Sequence, residues 1–191
     1  MIRLINILTL ARILIAVVIF TFLAIKNYYL LALFLFFVAG MTDYLDGLLA
    51  RMFKEESKLG ELLDPIADKI LVAAALILLV MNGTIKNYEV IAAIIILTRE
   101  ILISGLREFL AKGQITMQVT SLSKLKTFIQ MVSIAILLTG ESGNKIINFQ
   151  DYNAQTIGII FLWLSAALTL FTGYDYMRKG IDHAISEDNK D

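Results

Sequence analysis

Apolar residues fall into blocks at 13–25, 28–41, 70–81, 90–97 continuing as 101–106, 128–139 and 157–174. Only the last reaches, on its own, the roughly 18 residues that an unbroken membrane-spanning helix requires. The others reach that length only if polar residues at one end lie inside the helix. These are Asn6, Thr9 and Arg12 for the first block, Asp43 and Asp46 for the second, and Asp64 and Asp68 for the third. Arg99, Glu100 and Arg107 serve the fourth, and Lys124 and Lys126 the fifth. The pattern predicts an all-α, polytopic integral membrane protein with six transmembrane helices.

Basic residues orient those helices. The connections read as outer carry Lys26, Lys86 and Lys145. The inner ones carry Arg51, Lys54 and Lys58, then Lys112, Lys124 and Lys126, with Arg3 at the start and Arg178 and Lys179 at the end. The positive-inside rule then puts both termini in the cytoplasm. Every intruding polar group falls in the cytoplasmic half of the membrane. Ionisable groups at that depth are costly and usually face a shared cavity. The expected architecture is therefore six helices around a cytoplasm-facing polar cavity, in the cell (inner) membrane. The chain, 1–191, reads as one membrane domain, with 1–12 a juxtamembrane segment and 184–191 a polar tail. The first block lacks a small-x-small cleavage site, so it reads as a retained helix and not a signal peptide.

Composition narrows the classes. Of 191 residues, 58% are hydrophobic and 18% charged, and the mean hydropathy is +0.76. A soluble domain averages about 45–50% apolar and about 25% charged residues. A disordered chain, a basic nucleic-acid-binding domain and an ordinary cytosolic globule are excluded. Six spans of about 20 residues leave no room for a separate soluble domain. Lys plus Arg and Asp plus Glu number 17 each and cancel, so net charge says nothing about partners. With no Cys and a single His, His183 in the tail, acid–base or metal chemistry falls to carboxylates.

The carboxylates are patterned. At about 100° per residue, Asp43, Asp46, Gly47, Ala50 and Arg51 share one face of a helix. Gly60, Asp64 and Asp68 recur at i, i+4 and i+8 on the next. Two antiparallel helices joined by a short basic loop would point four carboxylates at one another, with three small residues leaving room for a ligand. Proton sharing or bound divalent cations could compensate four charges at membrane depth. Oxygen-only ligands favour hard ions, Mg²⁺ first and Mn²⁺ or Ca²⁺ next. Two such ions about 3.5–4 Å apart are a recurring device for phosphoryl transfer. Glu55, Glu56 and Glu61 read as a solvated loop or outer face.

This stretch resembles the CDP-alcohol phosphotransferase signature, D-x2-D-G-x2-A-R-x8-G-x3-D-x3-D. It does so at every fixed position: Asp43, Asp46, Gly47, Ala50, Arg51, Gly60, Asp64 and Asp68. The resemblance implies a six-helix membrane enzyme, usually a homodimer. Such an enzyme transfers a substituted phosphate from a CDP-linked lipid to an alcohol and releases CMP. It implies that Asp43, Asp46 and Asp64 hold two divalent ions, Mg²⁺ or Mn²⁺, on the CDP pyrophosphate. Asp68 would also reach an ion and act as the catalytic base on the acceptor hydroxyl. Gly47, Ala50 and Gly60 would pack against the nucleotide, and Arg51 would contact phosphate or brace a carboxylate.

Three further stretches resemble the phosphatidylglycerophosphate-synthase branch of that family. They are N-I-L-T-L-A-R from Asn6, with Ile5 where a Pro commonly stands, R-E-I-L-I-S-G-L-R-E-F from Arg99, and S-L-S-K-L-K-T-F-I-Q-M from Ser121. The implied substrates are CDP-diacylglycerol and sn-glycerol 3-phosphate, with membrane lipids as surroundings and no nucleic acid. A phosphorylated acceptor needs fixed cations near the metals; Arg107, Lys124 and Lys126 supply them, with Ser121 as a donor. Lys124 and Lys126, two apart, would serve together best at a loop-to-helix junction. The lysines read alternatively as topology signal or headgroup contacts. Arg99 and Glu100 read equally as a buried structural pair or as ligand contacts. Asn6, Thr9, Arg12 and Arg99 are candidates for a supporting shell. Tyr174, Asp175, Tyr176 and Arg178 read as an aromatic and basic membrane boundary.

The rival readings are a sibling enzyme using serine, inositol phosphate or phosphatidylglycerol, and a divalent-cation transporter. Serine would not need the cationic cluster. A transporter needs polar or broken-helix elements through both halves of the membrane, and the outer halves here are uniformly apolar.

Overall fold

A computed structural model describes residues 28, 30–41, 58–112, 120–140, 143, 148–149 and 152–188. The described residues are helical apart from their connections and one minimal strand pair. In chain order the helices are α1 (Leu30–Met41), α2 (Lys58–Met81), α3 (Glu89–Lys112), α4 (Ser121–Leu138) and α5 (Ala154–Asp188). Between α4 and α5, β1 (Asn148–Phe149) pairs antiparallel with β2 (Tyr152–Asn153), Asn148 opposite Asn153 and Phe149 opposite Tyr152. Two helices are long and apolar enough to cross a membrane, Ser121–Leu138 and Ala154–Arg178. The chain divides into two compact units: 1–86 with 134–157, and 87–133 with 158–191.

In the first unit, α2 packs through Ala67, Leu71, Ala75 and Leu79, all at most 3% exposed. That four-residue spacing keeps one face inward. Gly60, Asp64 and Asp68 follow the neighbouring four-residue register, about 100° around the helix from that buried face. Two residues past the end of the helix at Met81, Gly83 has a φ of +75°, the left-handed turn that glycine adopts without steric cost. There the amide of Gly83 bonds the Val80 carbonyl at 3.1 Å. Asn82 Oδ1 accepts from the Thr84 amide at 3.0 Å, and Gln155 Nε2 donates to the Thr84 carbonyl at 2.9 Å. The start of α5 is capped by Asn153, whose Oδ1 accepts from the amide and the hydroxyl of Thr156, both at 2.9 Å.

In the second unit, α3 lies against both α5 and the first half of α4. Ala92, Ala93, Ile96, Ile103 and Leu110 form its buried face. The inward stripe of α5 is small and polar: Ser165, Thr169, Thr172, Gly173, Tyr176 and Gly180 are all buried. A Cβ at Gly173 would stand 3.2 Å from Arg99 Cγ, so the absent side chain is what lets the Arg99 stem lie on α5. Ser133 Oγ donates to the Gly158 carbonyl at 2.8 Å. The N-terminus of α4 is held by Thr120, whose Oγ1 accepts from the Ser123 amide at 3.2 Å.

Outward faces in both units are apolar. Phe34, Phe37, Ile77, Ile101, Phe128 and Phe171 are each at least 59% exposed. Helices that are apolar on their exposed as well as their packed faces suit a lipid environment.

The first residues of the polar tail, 184–188, continue α5 to Asp188. One expectation changes. Lys124 and Lys126 do not sit at a loop-to-helix junction, because α4 begins at Ser121 and carries both within its first turns. The first apolar block and the juxtamembrane segment 1–12 lie outside the described residues.

Candidate active site

The acidic half of the expected site rests on α2. Gly60, Asp64 and Asp68 are helical residues at four-residue spacing, so their positions share one face. The Asp68 side chain is exposed. Asp43, Asp46, Gly47, Ala50 and Arg51 lie outside the described residues, as do Asn6, Thr9 and Arg12. Among the described residues no group of three carboxylates or histidines is gathered for a metal. The oxygen-only donors of Asp64 and Asp68, one turn apart, are of the type that hard divalent ions take.

The basic half is described in full, in the second unit. Lys126 and Glu100 form an ion pair, with Lys126 4% and Glu100 19% exposed at their side chains. Arg99 sits on the same carboxylate, its Nη1 3.4 Å from Glu100 Oε1. Its Nη2 donates to Thr172 Oγ1 at 3.1 Å, while its buried Nε has no hydrogen-bond partner. Glu100 thus lies between two cations. A carboxylate shared this way compensates charges that would be prohibitive if buried alone.

Arg107 stands two turns further along α3 than Glu100 and is exposed. Its Nη2 donates to the Tyr176 hydroxyl at 2.9 Å, and its guanidinium carbon lies 4.8 Å from the centre of that ring. Tyr176 is 4% exposed and shares a side-chain hydrogen bond with Ser123. The chain of contacts therefore joins α3, α4 and α5.

Of the residues expected to bind an acceptor phosphate, the structure brings Arg107 and Lys126 into one network with Arg99. Lys124 is exposed and stands apart on the surface of α4. Ser121 is also exposed; the buried serine of that turn is Ser123, 8% exposed. Helix geometry explains both differences, since residues two apart point to different faces. Tyr176 corrects the sequence reading. Tyr174, at 69% exposure, and the exposed Arg178 fit a membrane boundary. Tyr176 instead faces the cations. The Ser–Thr–Gly stripe of α5 was the signal, because Tyr176 continues the series Ser165, Thr169, Thr172 at helical spacing.

Two of the described helices are long and apolar enough to cross a membrane, and in the second unit Arg99 and Lys126 are held by partners on α3, α4 and α5, an arrangement that fits a membrane protein. Residues 3–171 match the CDP-alcohol phosphatidyltransferase family, and the chain belongs to it. The chain is 41% identical over 175 residues to a CDP-diacylglycerol–glycerol-3-phosphate 3-phosphatidyltransferase of Rickettsia typhi, covering 91% of this chain and 94% of that one. It is 36% identical to the protein of the same name from Cereibacter sphaeroides, covering 82% and 84%. The Bacillus subtilis protein of that name is 33% identical, covering 76% and 70%.

Proposed function

We propose that this protein transfers the phosphatidyl group from CDP-diacylglycerol to sn-glycerol 3-phosphate, giving phosphatidylglycerophosphate and CMP. The observation that carries the reading is 41% identity across 91% of the chain to a relative named for that reaction. The buried cations of α3 and α4 support it, because a doubly charged acceptor requires fixed positive charge.

In the proposed mechanism the acceptor hydroxyl attacks the phosphorus that bears diacylglycerol. A new P–O bond forms, the pyrophosphate P–O bond breaks, and CMP leaves with the electron pair. Asp68 takes the hydroxyl proton as base. Arg107 and Lys126 hold the acceptor's phosphate, and Arg51, Gly47, Ala50 and Gly60 hold the CDP moiety. Asp43, Asp46, Asp64 and Asp68 would hold two divalent ions, Mg²⁺ or Mn²⁺, which when bound neutralise charge on the pyrophosphate. The six spans, the cytoplasm-facing cavity in the inner membrane and a homodimer belong to the same proposal. The two helices long enough to cross a bilayer and the basic inner connections support that placement.

The test is product identification. Protein purified in detergent is incubated with CDP-diacylglycerol and labelled glycerol 3-phosphate, and the lipid fraction is analysed by mass. Labelled phosphatidylglycerophosphate is expected in step with CMP. A labelled lipid of another mass, or none, would refute the reading.

A further inference from the structure

Arg107 is the exposed cation of the network, on a stem with high rotamer freedom. A cation of that kind binds an anion weakly unless something fixes its direction beforehand, because ordering the stem costs free energy on binding. Tyr176 fixes it in two ways. Its ring lies under the guanidinium at 4.8 Å, and its hydroxyl accepts from Nη2 at 2.9 Å. Among the described residues Arg107 makes no other hydrogen bond, so its remaining N–H donors are left for a ligand. The tyrosine is itself fixed. It is 4% exposed, and its hydroxyl oxygen also accepts from Ser123. Ser123 in turn meets the Thr120 hydroxyl at 3.1 Å. One helical turn beyond Ser123 on α4 is Lys126, bound to Glu100.

We infer that Tyr176 is a positioning residue for acceptor recognition. By stacking on and bonding Arg107, and by tying it through Ser123 to the helix that carries Lys126, it holds two cations from different helices in register for one phosphate dianion. It touches neither the reacting atoms nor the CDP-lipid. The inference rests on the reading above of Arg107 as an acceptor-phosphate ligand.

The test is steady-state kinetics of full-length Tyr176→Phe and Tyr176→Leu in detergent, varying glycerol 3-phosphate and CDP-diacylglycerol separately. Losing a hydrogen bond to a charged group should raise KM for glycerol 3-phosphate about five- to tenfold in Tyr176→Phe. The Leu variant, which also loses the stacked ring, should rise further. KM for CDP-diacylglycerol and kcat at saturating acceptor should stay within about twofold. Inorganic phosphate, tested as a competitor of glycerol 3-phosphate, should weaken by the same factor. In an Arg107→Ala background Tyr176→Phe should add nothing, because its effect passes through Arg107. An unchanged KM in Tyr176→Phe, equal rises for both substrates, or additive losses with Arg107→Ala would overturn the inference. If the wild-type protein does not use glycerol 3-phosphate, the functional reading falls and takes this role with it. If it does and the Tyr176 variants leave that KM alone, only the positioning role falls.

Discussion

Glu100 on α3 binds the ammonium of Lys126 on α4 while also receiving Arg99 from its own helix. One carboxylate therefore compensates two cations in a region where water is scarce. Removing Glu100 strands both cations, and the cost exceeds what the pairs contribute when intact. Glu100→Gln should destabilise the detergent-solubilised protein by about 2–3 kcal/mol, below the value for a fully buried pair because Glu100 is partly exposed. Lys126→Met, which leaves Glu100 paired with Arg99, should cost less, and adding it to Glu100→Gln should raise the melting temperature above that of Glu100→Gln alone, a comparison that thermal unfolding followed by tryptophan fluorescence can make.

Asp68 carries the clearest catalytic expectation. If it is the base, Asp68→Asn should lower kcat by at least about 100-fold while the protein still binds CDP-diacylglycerol. Equilibrium binding of the labelled lipid and a turnover assay on the same preparation separate the two effects. A variant that keeps most of its rate removes Asp68 from the role.

Arg107→Ala should raise KM for glycerol 3-phosphate by about tenfold or more, with little change in KM for the CDP-lipid. Arg107→Lys should recover only part of the loss, since an ammonium cannot both stack on Tyr176 and present a planar fork. Equal rises for both substrates would move Arg107 out of the acceptor pocket.

A structural prediction concerns the start of α5. Asn153 Oδ1 satisfies the Thr156 amide and hydroxyl. Asn153→Ala should cost about 1 kcal/mol of stability, as lost helix caps do. Because the cap is remote in sequence from Arg107 and Tyr176, the KM for either substrate should not change.

The helices were legible because their polar residues were counted as part of them. Reading Asp64 and Asp68 into the third apolar block gives the helix that runs Lys58–Met81. Reading Arg99 and Glu100 into the fourth gives an unbroken Glu89–Lys112. What the sequence hid was which neighbour each cation would meet. Lys126 lies in a stretch that also carries Lys124, and nothing local says that one is buried on Glu100 and the other exposed. Tyr176 was masked in another way. It stands between Tyr174 and Arg178, at a helix end where aromatic and basic residues ordinarily mark a membrane boundary. Only its place in the series Ser165, Thr169, Thr172, Tyr176 sets it on the inward face, and that stripe matters only once α3 is known to lie against it. The short strand pair at Asn148–Phe149 and Tyr152–Asn153 carried no pattern long enough to read.

The central claim is the acceptor, and an acceptor screen tests it most directly. CMP release from CDP-diacylglycerol would be followed with glycerol 3-phosphate, serine, inositol phosphate or phosphatidylglycerol, each with Mg²⁺, with Mn²⁺ and after chelation. The account predicts release with glycerol 3-phosphate alone, lost on chelation and restored by either ion. Release with another acceptor would contradict the reading of Arg107 and Lys126, and metal-independent release would contradict the carboxylate site.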